Sequence, residues 1–273
     1  MLFASIRRAG IIIAVKTART INLIDSFKST AAFLIEGGGH LLWPRLCCNC
    51  QASILKSDDG LCGECWEQLR FSAGGDYCRR CGTDASEYAI IEGACGQCQN
   101  TSLQFDGIAR AGAYNDVLRN MILRMKFNDR PELGEYLGSI SDAAITGSGF
   151  YDDIDLFVPV PLHWRRRLSR GFNQALIICQ SLKNARKRID RDLVRIRYTH
   201  RQWSLTDAGR KKNVAGAFAV RARHNYRDKT ICLVDDITTS GATLNECAKT
   251  LKEAGAKKVY ALVVAVAHGN SKK

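Results

Sequence analysis

Two neighbouring acids followed by a run of hydroxyl side chains form the most chemically informative stretch of the sequence, Ile-Cys-Leu-Val-Asp-Asp-Ile-Thr-Thr-Ser-Gly-Ala-Thr at residues 231–243. The apolar run 231–234 predicts a buried parallel strand, and the apolar spacing over 243–254 predicts an amphipathic helix. The turn between them therefore lies at the carboxyl end of a strand, where α/β sheets bind ligands. Backbone N–H groups and hydroxyls there cradle a phosphate, and Asp235 and Asp236 in the same crevice accept hydrogen bonds from ribose hydroxyls. The stretch predicts a ribose 5-phosphate site.

The predicted phosphate cradle comprises Thr238, Thr239, Ser240, Gly241, Ala242 and Thr243. The simpler alternative is an ordinary strand, turn and helix in which Asp235 caps the helix and Gly241 turns the chain. A cap needs one acid and no series of hydroxyls, so the phosphate site is favoured. The sequence has no Gly-x-x-x-x-Gly-Lys-Ser/Thr motif, which disfavours hydrolysis of nucleoside triphosphates.

Eight of the twelve cysteines form four Cys-x-x-Cys pairs, separated by 11, 12 and 13 residues. Each pair can present two thiolates to one metal, and two pairs complete a tetrahedral zinc site. The pairs are Cys47 and Cys50, Cys62 and Cys65, Cys78 and Cys81, and Cys95 and Cys98. We therefore expect two structural zinc ions. Sharing of one ion by adjacent pairs is favoured because it closes short loops, and the spacing leaves interleaved pairing open.

Disulfides and iron–sulfur ligation are the competing uses of these cysteines. Disulfides require an oxidising compartment, whereas the sequence shows neither a signal peptide nor an apolar run long enough to span a bilayer. We therefore expect a cytoplasmic protein. Ferredoxin clusters use closely spaced triplets of cysteines rather than this even series of pairs. Zinc remains the favoured metal.

Composition and charge indicate one large domain, a smaller one and a strongly basic surface. The chain has 273 residues, 46% of them apolar, and a net charge of +13. Residues 163–229 contain 19 Lys or Arg against four Asp, and this local charge of +15 is larger than the net charge of the whole chain. Such a surface attracts phosphates of a small substrate or of a nucleic acid, although solvated surface charges are the alternative.

From residue 105 onward the hydrophobic pattern alternates between strands and helices. Strands are predicted over 107–114, 156–160, 193–197 and 259–265 besides the one at 231, and helices over 117–126, 131–144 and 173–188 besides the one at 243. This alternation predicts an α/β fold with a mostly parallel sheet. An amphipathic helix is expected over 21–42. We divide the chain into an N-terminal helical extension (1–40), a double zinc ribbon (41–104) and an α/β domain (105–273).

The acid-and-hydroxyl stretch resembles the signature that binds phosphoribosyl pyrophosphate (PRPP) in type I phosphoribosyltransferases, with Ser240 where Thr is commoner. Together with the cysteine pairs, the run Val-Pro-Val-Pro-Leu-His at 158–163 and Arg-Gly-Phe-Asn-Gln at 170–174, it resembles the ComF family. The resemblance implies a type I phosphoribosyltransferase-like sheet preceded by a double zinc ribbon. It also implies PRPP binding with Mg²⁺, and a role in natural competence that involves single-stranded DNA and helicase-type partner proteins.

The resemblance also suggests roles for individual residues. It places pyrophosphate at the turn containing Pro159, Val160 and Pro161, and a mobile loop over 199–213. Because displacement at the anomeric carbon expels pyrophosphate, cations are needed over the developing charge. The candidate catalytic residues are Asp235, Asp236, Arg170, Arg201 and Arg210. The candidate contacts to DNA or to an acceptor are Arg165, Arg166, Arg167, Phe172, Asn173, Gln174, Gln202 and Trp203.

Two functional hypotheses follow. In the first, the protein transfers a phosphoribosyl group to a nitrogen acceptor, as the paired acids and the hydroxyl turn suggest. In the second, the same fold binds single-stranded DNA through its basic stretch and interleaved aromatic residues. The fold does not decide between them.

Overall fold

The computed structural model describes residues 45–54, 60–73, 75–91, 93–99, 101–127, 130–182, 188–199, 206–221 and 225–267. The helix expected over 21–42 and the extension 1–40 lie outside these residues. Among the described residues, no helix combines the length and apolar character required to cross a membrane.

The described residues of the cysteine-rich segment form short elements. They are the helix α1 (Gly63–Ala73), a 3-10 turn (Glu87–Ala89), the strands β1 (Ile90–Ile91) and β2 (Ala94–Cys95), and the helical turn α2 (Gly96–Gln99). β1 and β2 pair antiparallel. Tight turns follow Cys47 and Cys78, where the N–H of Gln51 bonds to the Cys47 carbonyl at 3.0 Å and the N–H of Gly82 to the Cys78 carbonyl at 2.7 Å.

The remaining elements build an α/β domain. Its strands are β3 (Gly107–Ala113), β4 (Leu156–Pro159), β5 (Arg188–Ile189), β6 (Leu193–Arg195), β7 (Phe218–Val220), β8 (Thr230–Thr238) and β9 (Lys258–Val266). Its helices are α3 (Asp116–Phe127), α4 (Leu133–Thr146), α5 (Trp164–Arg170), α6 (Gln174–Gln180), α7 (Asp207–Val214) and α8 (Ala242–Glu253).

Five of these strands form one parallel sheet in the order β3-β9-β8-β4-β5. Alternate residues of β8 enter two different apolar cores, Cys232 and Val234 on one face and Ile231 and Leu233 on the other. Burial on both faces explains the continuous apolar run at 231–234, since helices cover both sides of such sheets. The predicted α/β class with a parallel sheet is confirmed.

From β4 and β8, which are neighbours in the sheet, the chain proceeds toward opposite edges of the sheet. β4 continues through α5 and α6 to β5 on one side of the sheet, whereas β8 continues through α8 to β9 on the other side. The loops that leave β4 and β8 therefore diverge and open a crevice at the carboxyl edge of the sheet. Crevices of this kind are where open α/β sheets bind ligands.

Three predictions about secondary structure need correction. The helix expected over 173–188 ends at Gln180, and Arg188 belongs to β5. β6, expected in the main sheet, instead pairs antiparallel with β7. Part of the mobile loop expected over 199–213 is the helix α7, which begins with Thr206 accepting a hydrogen bond from the Gly209 N–H at 3.2 Å. Local apolar spacing does not reveal which sheet a short strand joins.

The first half of the cysteine-rich segment shares an apolar core with the α/β domain. Cys47, Leu61 and Leu69 belong to the same apolar cluster as Val117 and Met121 of α3. The described residues from 46 onward accordingly form one compact unit.

Candidate functional site

The turn after β8 has the geometry expected of an anion cradle. β8 continues through Thr238, and α8 begins at Ala242 with Gly241 as its N-cap in the left-handed conformation, at φ +69°. A residue with a β-carbon is strained in this conformation, which accounts for glycine. The side chain of Gly241 cannot cap, so the first N–H groups of α8 face the crevice with the positive end of the helix dipole.

Two side chains at the turn, one of them from α7, favour an anionic ligand. The buried hydroxyl oxygen of Ser240 has no hydrogen-bond partner among the described residues. Arg210 of α7 donates from Nη1 to the Thr239 hydroxyl at 3.2 Å and pairs with Asp207 at 3.2 Å. A predicted cationic residue is thus held at the predicted phosphate turn.

The two acids lie on opposite faces of the sheet. They belong to β8, in which successive side chains alternate, so Asp235 lies on the side of Leu233 and Asp236 on the side of Val234. Their side chains therefore leave β8 in opposite directions, because the strand extends past the acids instead of ending before them. That both carboxylates reach one ligand at the carboxyl edge stays a prediction. Asp235 Oδ1 accepts a hydrogen bond from the Asp236 N–H at 2.9 Å and does not cap α8.

The carboxyl group of Asp235 has a raised pKa. Burial raises its pKa to about 7, and the neighbouring Asp236 adds to this effect. Lys126 and Arg195 lower the pKa but do not offset the burial. A carboxyl group of this kind releases its proton readily when a divalent cation approaches, since the cation favours the charged form.

Asp236 is paired with a lysine that no sequence motif indicated. Its Oδ2 lies 2.7 Å from Nζ of Lys126 in α3, and only 5% of the Asp236 surface is exposed. Lys126 is itself largely buried, with 17% of its side chain accessible.

The arginine predictions have different outcomes. Arg210 lies at the phosphate turn, as described above. Arg170 lies beside Phe127, its guanidinium 5.6 Å from the ring centre, and donates to Gln174 Oε1 at 2.9 Å. Arg201, Gln202 and Trp203 lie outside the described residues, and their proposed roles stay predictions.

The turn after β4 lies next to the one after β8. Pro159 ends β4, and the Val160 N–H bonds to the Val234 carbonyl at 2.9 Å, which continues the pairing with β8. Asn173 donates from Nδ2 to the Val160 carbonyl at 3.1 Å and makes no side-chain cap on α6. Asn173 therefore supports the turn that contains Val160 and Pro161.

Arginines and exposed aromatic rings alternate on a surface next to this turn. Trp164 and Tyr198 are 58% and 46% exposed. The Arg165 guanidinium lies 5.3 Å from the Trp164 ring centre and 5.8 Å from that of Tyr198, and the Arg166 guanidinium lies 5.7 Å from the latter. Arg167 is also exposed. We call Trp164, Arg165, Arg166, Arg167 and Tyr198 the arginine–aromatic surface.

Two other predicted contacts differ from these exposed groups. Phe172 packs against an apolar core and is only partly exposed, because it directly precedes the buried helix α6. Gln174 is 2% exposed, and its Nε2 has no partner among the described residues.

His163 caps α5 through Nδ1, which accepts a hydrogen bond from the Arg165 N–H at 3.3 Å. Burial lowers the pKa of His163, and the nearby arginines lower it further.

The eight paired cysteines form two clusters, and their arrangement fits zinc. One contains Cys47, Cys50, Cys62 and Cys65, and the other contains Cys78, Cys81, Cys95 and Cys98; the sulfurs of each lie within 4.8 Å of one another. The sulfurs of Cys50 and Cys62 are 3.5 Å apart, and those of Cys78 and Cys98 are 3.9 Å apart. Tetrahedral zinc with bonds of about 2.3 Å places sulfurs about 3.8 Å apart. Pairing of adjacent motifs is confirmed.

In each cluster the surroundings favour one thiolate, whereas burial raises the pKa of Cys65 in the first cluster and of Cys81 and Cys98 in the second. The N–H of Cys62 donates to the Cys47 sulfur, and the N–H of Cys95 donates to the Cys78 sulfur, both at 3.3 Å. Burial raises the pKa of Cys47, but hydrogen bonds from backbone N–H groups outweigh it and lower the pKa to about 6. The same opposition gives Cys78 a pKa of about 7. All four ligands are protein thiolates, so each ion would serve structure and leave no position open for substrate.

Comparisons with known proteins agree with both parts of this architecture. A double zinc ribbon domain matches residues 39–99, and a phosphoribosyl transferase domain matches residues 176–273. The chain thus belongs to the class of proteins that join a double zinc ribbon to a phosphoribosyltransferase-type fold. It is 28% identical to competence protein F of Haemophilus influenzae over 78% of this chain and 93% of that protein.

Two further relatives extend the match. The chain is 30% identical to DNA utilization protein YhgH of Escherichia coli (strain K12) over 79% of this chain and 94% of that protein. It is 28% identical to competence protein ComFC of Bacillus subtilis over 74% of this chain and 82% of that protein. The chain belongs to the ComF family, as its motifs suggested.

Sequence reasoning missed Lys126, Arg195 and Trp164. Lys126 is paired with Asp236, and both Lys126 and Arg195 lower the pKa of Asp235. Each lies in the last turn or at the end of its element and belongs to no motif. Trp164 could have been recognised, since it directly precedes the three arginines.

Proposed function

We propose that the protein binds PRPP, or another ribose 5-phosphate compound, together with Mg²⁺ at the turn after β8. We also propose that it acts in the handling of single-stranded DNA. The observation that carries this proposal is the turn itself. Gly241 opens the start of α8, Ser240 offers an unpartnered hydroxyl, and Arg210 lies at Thr239. The N–H groups at the start of a helix, a hydroxyl and a guanidinium together match the oxygens of a phosphate.

The acids extend the site from a phosphate to a ribose. Carboxylates accept hydrogen bonds from sugar hydroxyls, as the acidic residue of dinucleotide-binding folds does. Asp235, whose pKa is about 7, is available for contact to a hydrated cation. When bound, Mg²⁺ would neutralise charge on the diphosphate, and the carboxylates fit its preference for oxygen ligands.

The proposed DNA role rests on the arginine–aromatic surface. Trp164 and Tyr198 are exposed beside Arg165 and Arg166. Aromatic faces that stack on bases, with cations along the backbone, hold single strands without sequence preference. Relatives named competence protein and DNA utilization protein support the same interpretation. We also propose that helicase-type proteins act with it, an expectation that the family resemblance alone supplies.

Catalysis is the second candidate function, and the position of Arg210 favours it. In this reaction the bond from the anomeric carbon to the diphosphate oxygen breaks, a bond to an acceptor nitrogen forms, and diphosphate leaves. Arg210, held at the turn by Thr239 and Asp207, brings a positive charge to the crevice in which the reaction would take place. Release of diphosphate from PRPP in the presence of nitrogen acceptors would establish this function.

Titration calorimetry with PRPP and Mg²⁺ tests the ligand. We expect the native protein to bind, and Asp235→Asn with Asp236→Asn to abolish binding. Asp153→Asn, an exposed acid at the amino edge of the sheet, is the matched control and should bind normally. Lack of binding by the native protein would refute the proposal.

A further inference from the structure

The ion pair between Lys126 and Asp236 connects the proposed ribose site to α3. Its 2.7 Å separation and its burial distinguish it from surface pairs such as Lys249 with Glu253, which are 3.8 Å apart and more than half exposed. Exposed pairs contribute little, whereas a buried charge left without its partner is strongly unfavourable. The orientation of Asp236 therefore depends on where α3 holds the ammonium group.

The other side of α3 is fastened to the first zinc cluster. Asn120 donates from Nδ2 to the Asn49 side chain at 3.1 Å, and Arg124 donates from Nη1 to the Cys48 carbonyl at 2.9 Å. Asn120 and Arg124 are four residues apart and share one helix face. Lys126, two residues further, projects about 200° around the helix from Arg124, toward the sheet.

The same cluster is fixed from its inner side. Asn49 also donates to the Cys65 sulfur at 3.3 Å. Cys47 and Cys65 are buried in the apolar core that contains Met121 and Met125 of α3. A change in the metal-bound turn at residues 47–50 would thus move the helix that carries Lys126.

We propose that Lys126 is a positioning residue that holds Asp236 for the ribose hydroxyls, and that the first zinc cluster keeps Lys126 in place through Asn120 and Arg124. The inference rests on the proposed phosphoribosyl site and adds a structural reason for joining a zinc ribbon to it. The metal cluster then serves ligand binding in addition to the stability of its own loop.

The charge of Lys126 gives this role a distinctive signature. The ammonium group of Lys126 meets Asp236 at 2.7 Å, so Arg keeps a positive charge for this contact and Met removes it. A lysine that served packing alone could be replaced by Met without loss of ligand affinity.

The test measures PRPP and Mg²⁺ affinity with the zinc-loaded full chain. Lys126→Met should weaken affinity about 10- to 100-fold, the range for groups that orient direct ligands. Lys126→Arg, which keeps the positive charge, should restore most of that affinity. Lys249→Met is the matched control and should bind like the native protein. Native affinity in Lys126→Met, or no recovery in a folded Lys126→Arg, would overturn the role of Lys126, whereas failure of the native protein to bind would refute the proposed function itself.

The anchoring step has its own test. Asn120→Ala combined with Arg124→Met leaves all eight cysteines and Lys126 in place. We expect this variant to retain two zinc ions by metal analysis but to bind PRPP about 10-fold more weakly. Native affinity in a folded variant with two zinc ions would overturn the anchoring step.

Discussion

Replacing Asp235 by Asn should stabilise the protein, and increasingly so as the pH rises. Burial and the Asp236 carboxylate raise the pKa of Asp235 from the ordinary 3.8 to about 7. A carboxyl group with a raised pKa stabilises the folded state below its unfolded pKa and loses that contribution as the pH rises through the folded value. In the native protein, the ionised form at pH 8 therefore costs about 4 kcal/mol, taking about 1.4 kcal/mol for each pH unit between the two pKa values.

Partial exposure of Asp235 to water screens this cost, and we expect about 2–4 kcal/mol at pH 8. The Asn side chain keeps an oxygen that accepts the hydrogen bond from the Asp236 N–H, so the substitution removes charge with little change in shape. The assay is denaturant unfolding of the native and variant proteins between pH 4 and pH 8. The stability difference should be small at pH 4 and grow steadily. A difference that does not change with pH, or a less stable variant at pH 8, would refute the reasoning.

The remaining predictions concern the turn, the metal clusters and the arginine–aromatic surface. Gly241→Ala should lower stability by about 1–2 kcal/mol by thermal melting, because φ is +69° there and the Phe105 ring is no closer than 3.7 Å to the new methyl group; an unchanged melting temperature would contradict this. Cys50→Ser should reduce the zinc content from two ions to one, whereas Cys48→Ser, outside the ligand set, should retain two; equal contents would disprove the assignment. Arg165→Ala with Arg167→Ala should weaken single-stranded DNA binding, and the slope of log affinity against log salt concentration should fall by about one for each lost phosphate contact. The control, Arg227→Ala with Lys258→Ala at the amino edge of the sheet, should bind like the native protein. A native salt slope in the first variant would count against phosphate contacts.

Much of this architecture was predictable because its signals are local. The spacing of the four cysteine pairs predicts two metal sites, although it does not decide which pairs share an ion. The continuous apolar run at 231–234 predicts a buried strand. The glycine at 241 and the hydroxyls beside it mark a ligand turn in the same way. Such features need no knowledge of distant residues.

The parts that could not be predicted depend on tertiary contacts. Nothing in the sequence near Lys126 indicates that it meets Asp236, which lies 110 positions away. The direction of the two acids depends on how far β8 continues, and that is decided by pairing with β9 up to Val266. Likewise, β6 lies outside the main sheet because it pairs with β7.

The most direct test of the phosphoribosyl site is a crystal structure of the native protein soaked with PRPP and Mg²⁺. We predict the 5-phosphate at residues 239–243, bonded to N–H groups at the start of α8 and to Ser240, with the ribose near Asp235 and Asp236. A turn that stays empty at saturating PRPP, or PRPP bound elsewhere on the molecule, would contradict the central claim.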